Sequence, residues 1–357
     1  MVAARFAAAA LAVAVAGAFQ SWRAPVGAYR NCARPSRRAR ALGAAPSSSD
    51  EAQQTLLLEN FLTQRSVQTL LFLLRTGRDE VTANWVHRFL GHQGMEQFHG
   101  TRGLKVSWDE YVIRLLTADT EEIVVSLRKQ SRRGLSPGNP YAPKDQWFNY
   151  TVDIFPRDLG ERVLTLRSAL AREWIEDLAT VEASQEEFLR AYRDSARTGE
   201  DPLAGQVLPA ALEGFDAAIG VGDSTAYRGG NYDLLLRLSA QQGILRTLRA
   251  LDARNTKQAR YSADYLRAFY ADHGAKFDGD GPNGVSRAFF TKLIEDTPRV
   301  KSQGEGAPPL LLDPPALAEA AMAEQRAVVA TWRDAILPNV DAANAEARRR
   351  ALEASFS

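Results

Sequence analysis

The chain has 357 residues, with 44 basic and 43 acidic side chains and a formal net charge of +1. Hydrophobic residues make up 45% of the chain, which is enough for a buried core in one large domain or two small ones. The single cysteine, Cys32, excludes an intramolecular disulfide framework, and four histidines leave few general bases. Composition alone therefore disfavours cysteine chemistry and cysteine-ligated metals.

The first nineteen residues, MVAARFAAAALAVAVAGAF, contain an early arginine, an apolar run and then small residues. This is the layout of a secretory signal peptide, and it is too short for a permanent membrane anchor. Residues 20–49 contain six arginines and no acid before Asp50. That composition is typical of a transit peptide, and we expect both segments to be removed.

A signal peptide joined directly to a transit peptide, with Phe19 at the junction, resembles the bipartite presequence of algae whose plastids descend from an engulfed red alga. The resemblance covers residues 1–50 and implies a protein of the plastid stroma or the thylakoid surface. An ordinary secreted protein with a basic N-terminal segment is the alternative.

Loss of the presequence changes the charge of the protein. Seven basic residues precede Asp50 and no acid does, so 37 basic and 43 acidic residues remain and the net charge becomes −6. General nucleic-acid binding then loses its electrostatic driving force. We interpret the remaining local basic cluster as the solvated end of a helix. The cluster consists of Arg128, Lys129, Arg132 and Arg133.

Beyond residue 50 the apolar residues recur at helical spacing, which predicts an all-α fold. We expect a multi-helix, bundle-like domain over 50–297, with at most one short extended segment at Phe148 to Phe155. No later stretch has the roughly eighteen apolar residues of a transmembrane helix. Helices are predicted at Thr120–Arg133, Arg157–Thr198, Leu203–Ala218, Tyr232–Leu251, Thr256–His273 and Val285–Ile294.

The C-terminal region begins with a proline-rich segment over 298–315, which predicts a linker or an extended arm. A C-terminal helical segment follows at 316–357. Its apolar stripe consists of Leu317, Ala321, Val328, Trp332 and Ile336. This stripe must be buried, either on the main domain or on another chain, and the sequence leaves both interpretations open.

Three of the four histidines lie in HRFLGHQGMEQFHG, the stretch from His87 to Gly100. Within it, Glu96 and His99 have the i,i+3 spacing that places a carboxylate and an imidazole on one helix face in di-iron bundles. Such a site needs a second pair of this kind. The remaining histidine, His273, follows Tyr270 at that spacing, so the second pair is missing.

A mononuclear zinc site is the other metal-binding interpretation of this stretch. Its candidate ligands are His87, His92, Glu96 and His99. Gly91 and Gly94 interrupt the path between these side chains, so their convergence would depend on the loop conformation. We therefore interpret His87 as a solvated residue, and His92 and His99 as partners of backbone groups in a glycine-rich turn.

Other motifs give no catalytic residue or cofactor. The glycine-rich stretch at 214–231 matches neither phosphate-binding pattern, and KFDGDGPNG lacks the sixth-position glycine and twelfth-position glutamate of a calcium loop. HExxH and DDxxD patterns are absent. Catalytic residues and cofactors thus remain unassigned.

The stretch from Asn139 to Leu178 resembles helical chloroplast proteins of no assigned function, and it implies no residue roles. We expect a non-catalytic plastid protein that acts as a binding, scaffold or assembly factor for other plastid proteins. Peripheral membrane contact is left open. The alternatives are a metal-dependent helical enzyme using the region of His92, Glu96 and His99, and a helical carrier of an apolar pigment or lipid.

Overall fold

The computed structural model describes residues 48–129, 146–198, 227–277, 284–303 and 308–356. Most of the predicted presequence and the helix predicted at Leu203–Ala218 lie outside these residues. Contacts divide the chain into two units that alternate along the sequence. The described parts of the first unit are within Ser48–Val181, Gly274–Val285 and Ala327–Ser357, and those of the second are within Glu182–His273 and Ser286–Arg326.

Helices dominate both units, which confirms the all-α class. The described helices are α1 (Ser48–Thr76), α2 (Glu80–Arg88), α3 (Trp108–Thr117), α4 (Pro156–Ala179), α5 (Val181–Thr198), α6 (Arg228–Ala253), α7 (Lys257–His273), α8 (Val285–Glu295), α9 (Pro314–Thr331) and α10 (Val340–Ser355). A π-helical turn at Trp332–Ile336 and a 3-10 turn at Leu337–Asn339 join α9 to α10. The described strands are β1 (Glu121–Lys129), β2 (Gln146–Ile154), β3 (Arg299–Lys301) and β4 (Leu310–Leu312).

The helix predicted at Thr120–Arg133 is wrong, because Glu121–Lys129 forms β1 and pairs antiparallel with β2. Three consecutive β-branched residues, Ile123, Val124 and Val125, favour a strand once a partner strand is present. That partner includes the extended segment predicted at Phe148–Phe155, which is confirmed. The sequence allowed at most one extended segment, whereas the structure has two small two-stranded sheets in its described part.

The basic cluster is placed differently from the sequence interpretation. Arg128 and Lys129 are the last residues of a strand, not of a helix. Arg132 and Arg133 lie outside the described residues. Stabilisation by a helix dipole therefore does not explain the basic end of β1.

Helix α1 is the centre of the first unit, because every residue from Phe61 to Leu71 is buried. It packs against α2, α3 and α4, while α10 packs against α3 and α4. Phe61 stacks on Trp174 of α4, with 5.0 Å between the ring centroids. Burial of the apolar side chains from these helices is the main source of stability for the unit.

A buried arginine joins the helices of this core. Arg167 on α4 donates from Nε to Asn344 Oδ1 on α10 at 3.0 Å, and from Nη1 to Thr63 on α1. Its guanidinium carbon lies 3.9 Å from the centre of the Trp108 ring on α3. Burial lowers the pKa of Arg167 to about 10, and the nearby Glu59 carboxylate acts in the opposite direction. The side chain therefore stays charged at neutral pH.

In the second unit, α6 and α9 approach closely at Gly243. A β-carbon there would lie 2.7 Å from both the carbonyl oxygen of Ala321 and the backbone nitrogen of Gln325. The Gln325 amide donates to Ser239 Oγ at 2.9 Å and accepts from Gln185 Nε2 at 2.7 Å. A single buried amide therefore joins α5, α6 and α9 beside a contact that admits only glycine.

Two strands lie within the predicted linker over 298–315, because β3 and β4 pair antiparallel in the second unit. The backbone N–H of Leu311 donates to Gln258 Oε1 of α7 at 3.0 Å, and its carbonyl accepts from Gln258 Nε2. Leu312 is buried. Three-residue strands are too short for their alternation to stand out among prolines, so the sequence pattern conceals them.

The apolar stripe of the C-terminal helical segment is buried within its own chain. Its members are Leu317, Ala321, Val328, Trp332 and Ile336. This confirms the interpretation in which the stripe docks on the chain itself. The stripe therefore offers no surface to another protein.

Candidate functional site

The histidine stretch forms a loop after α2, and its backbone explains its glycines. Leu90, Gly91 and Gly94 have φ values of 50°, 71° and 88°, in the left-handed region that favours glycine. The helical face on which a di-iron site would place Glu96 and His99 does not form, because the 3-10 turn at Met95–Gln97 ends before His99. The loop therefore does not have the geometry of a di-iron helix.

His92 is committed to the backbone of this loop. Its Nδ1 lies 3.0 Å from the carbonyl oxygen of Phe89, and its Nε2 accepts the N–H of Lys105 at 2.9 Å. An imidazole with these two partners is neutral and carries its proton on Nδ1. Burial lowers the pKa of His92, in agreement with this assignment. The ring also packs edge-on against Tyr111, at 5.2 Å between centroids.

Glu96 is engaged in an ion pair. Its carboxylate accepts from Arg75 Nε at 3.0 Å and from Arg75 Nη2 at 3.2 Å, while Arg75 also reaches Glu80. His87 Nδ1 lies 3.9 Å from Glu96 Oε2. Within the described part of the chain, no group of three or more histidine, cysteine or acidic side chains has an arrangement suited to a metal ion.

Two glutamines of α1 hold the same loop from the core side. Gln64 donates to the Gly100 carbonyl at 2.7 Å and accepts from the Gly103 N–H at 2.6 Å. Gln68 donates to the Phe98 carbonyl at 2.9 Å. Buried backbone groups need such partners, because an unpaired group costs about 1–3 kcal/mol. The sequence signal for this arrangement is amide side chains in the middle of an otherwise apolar helix.

The β1–β2 hairpin has one apolar face and one mainly polar face. The register places Ile123 opposite Val152, Val125 opposite Tyr150 and Leu127 opposite Phe148, and paired residues share a face. The other face includes the pairs of Glu122 with Asp153, Val124 with Thr151 and Ser126 with Asn149. The hairpin is therefore amphipathic, as for a sheet that packs on one side.

The apolar face becomes exposed along its length. Ile154, at the base of the hairpin, is buried. Farther along the strands, 55% of Leu127, 49% of Phe148 and 44% of Tyr150 remain exposed. Contiguous exposed apolar side chains mark interaction surfaces more often than isolated ones do. We call the face formed by Val125, Leu127, Phe148 and Tyr150 the apolar hairpin surface.

An open cleft of about 820 Å³ lies between α2 and β1. On one side it is lined by Trp85, and on the other by four consecutive residues of β1, from Ile123 to Ser126. Trp85 Nε1 donates to Glu121 Oε2 at 2.6 Å, which fixes the base of β1 beside α2. The cleft thus adjoins the apolar hairpin surface along the strand.

A second cleft, of about 580 Å³, lies in the second unit near His273. There Tyr265 donates to Asp296 Oδ2 at 2.5 Å, and Arg299 also pairs with Asp296. Hydrogen bonds from Tyr265 and Arg299 lower the pKa of Asp296, while burial and the Asp296 charge raise that of Tyr265. Tyr265 therefore stays protonated and Asp296 stays ionised at neutral pH, so neither is poised for proton transfer.

Among the described residues, no helix combines the length and apolar character needed to cross a bilayer. Comparisons with protein-family models, curated proteins and solved structures give no match.

Proposed function

We propose that the chain is a non-catalytic plastid protein that acts as a binding, scaffold or assembly factor for other plastid proteins. The exposed apolar hairpin surface carries this proposal. The presequence resemblance supports the plastid location. The docking face is not the C-terminal stripe, because that stripe is buried within its own chain.

The energetics of the surface suit reversible association. Complete burial of a side chain such as leucine or phenylalanine is worth about 1.5–3 kcal/mol, and Leu127, Phe148 and Tyr150 are each already about half buried. Covering each would contribute roughly 1 kcal/mol. A binding surface built from a few such side chains has the character of an interface hot spot, with aromatic anchors beside a polar rim.

The alternative of a metal-dependent enzyme needs His92 as a ligand, and this side chain already has other partners. Both ring nitrogens of His92 are engaged by backbone groups, and Glu96 is paired with Arg75. Binding a metal would require these contacts to break inside the loop. The described geometry therefore favours a binding function over metal chemistry at this position.

The experiment is site-specific photo-crosslinking in plastid extract. A photoreactive phenylalanine analogue replaces Leu127, and the matched control replaces Leu352 of α10, a leucine in the same unit that is 47% exposed. We expect one defined adduct to a different plastid protein from position 127 and none from position 352, and an adduct only to a second copy of this chain would not support the function. The added substitution Tyr150→Ser is expected to lower its yield several-fold, since an anchor is lost.

Equal adducts from both positions, or none from position 127, would overturn the proposed surface. Adducts to lipid from position 127 would also overturn it, because the hairpin would then bind a membrane. Thermal unfolding of each variant verifies that the unit remains folded.

A further inference from the structure

Strand β1 has an outer edge that meets no other strand in the described part of the chain. Among the described residues its sheet contains β1 and β2 alone, and the register runs from Glu121 to Lys129 without a bulge. The strand has no proline or glycine. Proteins usually block such edges with bulges, prolines, inward charges or a covering element, because an open edge pairs with other strands.

The cleft beside β1 shows that this edge is accessible. Consecutive residues of a strand point to opposite faces, so a cleft lined by every residue from Ile123 to Ser126 runs along the strand edge. Glu121 shares its face with Ile123 and bonds to Trp85 of α2. Helix α2 therefore lies toward the apolar face of β1, and of the described elements it does not cover the outer edge of the strand.

We propose that β1 pairs antiparallel with β1 of a second copy of this chain. The sequence of β1, EEIVVSLRK, is acidic at its start, apolar in its centre and basic at its end. An antiparallel copy centred on Val125 brings opposite charges together at both ends. The pairs would be Glu121 with Lys129, Glu122 with Arg128, Ile123 with Leu127, Val124 with Ser126 and Val125 with itself.

The charge pattern selects one register. A shift by two residues places Glu122 opposite Ser126 and leaves Arg128 without an acid across from it, and a shift by one exchanges the two faces. The outer edge of β2 lacks this symmetry. Its sequence, QWFNYTVDI, would place Asp153 opposite Trp147 in the equivalent self-pairing.

The resulting interface is a two-fold one, in which the same strand contributes from both copies. Residues with odd numbers pair with odd-numbered residues, so the two apolar faces lie on the same side of one four-stranded sheet. A sheet of four strands is also more stable than an isolated hairpin. This inference does not depend on the proposed function, because it uses the edge of β1 and not its apolar face.

The test measures the mass of the full chain in solution by light scattering after size-exclusion chromatography. We expect a dimer. Glu122→Lys sets like charges opposite each other at two symmetric positions, and Arg128→Glu does the same with acids. Each substitution is expected to raise the dimer dissociation constant roughly tenfold or more. An equimolar mixture of the two variants, and the double variant E122K/R128E, restore opposite charges and are expected to dimerise.

The two single variants also separate pairing from folding. Glu122 faces Asp153 within the hairpin, so Glu122→Lys removes a like-charge pair there and should not weaken the fold. A monomeric wild-type chain would overturn the proposal. A dimer that persists equally in both single variants, or that is not restored in the mixture, would overturn it as well, since association would then use another surface.

Discussion

The histidine loop and the β1–β2 hairpin differ in what their notable side chains contact. Those of the loop bind other groups of the same chain, whereas those of the hairpin face solvent. The loop attracts notice in the sequence because three histidines lie within it, yet His92 and the glutamines beneath it satisfy backbone groups of the loop itself. The hairpin has no residue of evident chemical interest, yet Leu127 and Tyr150 expose apolar surface. In this protein the histidine that suggests chemistry in the sequence, His92, stabilises a loop, whereas ordinary apolar residues form the candidate interface.

The first prediction tests whether Gln64 stabilises the histidine loop through its hydrogen bonds to the loop backbone. Gln64→Leu leaves the Gly100 carbonyl and the Gly103 N–H without their partner, so the free energy of unfolding should fall by about 2–4 kcal/mol. Gln53→Leu, at an exposed position of the same helix, is the control and should change stability by less than about 0.5 kcal/mol. Urea denaturation of both variants measures the difference. Equal effects would mean that the loop is not held by Gln64.

The second prediction concerns pH. Because burial lowers the pKa of His92 below its ordinary value of 6.5, the unfolded chain binds a proton more readily than the folded one. The contribution of neutral His92 to stability is therefore fully present above pH 6.5, and is lost as the pH falls below it. The loss has a maximum slope of about 1.4 kcal/mol per pH unit.

This pH effect is measured as the difference between the wild type and His92→Gln, from thermal unfolding between pH 7.5 and pH 5. The comparison removes the titration of other groups, among them Glu59, whose pKa is raised by burial. Parallel pH profiles for the two proteins would contradict a buried neutral His92, and would reopen the loop as a site available to ligands.

The third prediction has the smallest effect on stability. It tests whether Leu127 of the hairpin faces solvent and contributes little to folding. Leu127→Ser should change the free energy of unfolding by no more than about 0.5 kcal/mol, since over half of the side chain already contacts solvent. Leu115→Ser, at a fully buried leucine of the same unit, is the contrasting variant and should cost several kcal/mol. A large loss from Leu127→Ser would place that residue in the core.

Much of the helical fold follows from periodicity alone. The helix predicted at Val285–Ile294 is observed at Val285–Glu295, and the one predicted at Thr256–His273 begins one residue later. The stretch at Arg157–Thr198 is helical but breaks at Thr180. Local apolar spacing is sufficient in these places, because each helix buries a face whose residues are close in sequence.

Predicting the hairpin and the loop contacts requires knowledge of residues that are distant in the sequence. Whether Glu121–Lys129 forms a helix or a strand depends on β2, which begins after the segment 130–145. The backbone groups that Gln64 binds lie 36 and 39 residues away in sequence. Periodicity describes what a segment can bury and does not specify which distant segment it meets, so the candidate surface could not be predicted from the pattern.

The side chain of Gln258 has a consequence for aggregation. It binds both the N–H and the carbonyl of Leu311, and in an antiparallel pair these two groups point to the same side, away from β3. The amide thus acts as a substitute for one residue of a third strand and occupies the outer edge of β4. Leu311 is half exposed at this position. A substitution that removes the amide would leave the outer edge of β4 free to pair with strands of other molecules. We therefore expect such a variant to aggregate on heating, even though its core would keep every apolar contact.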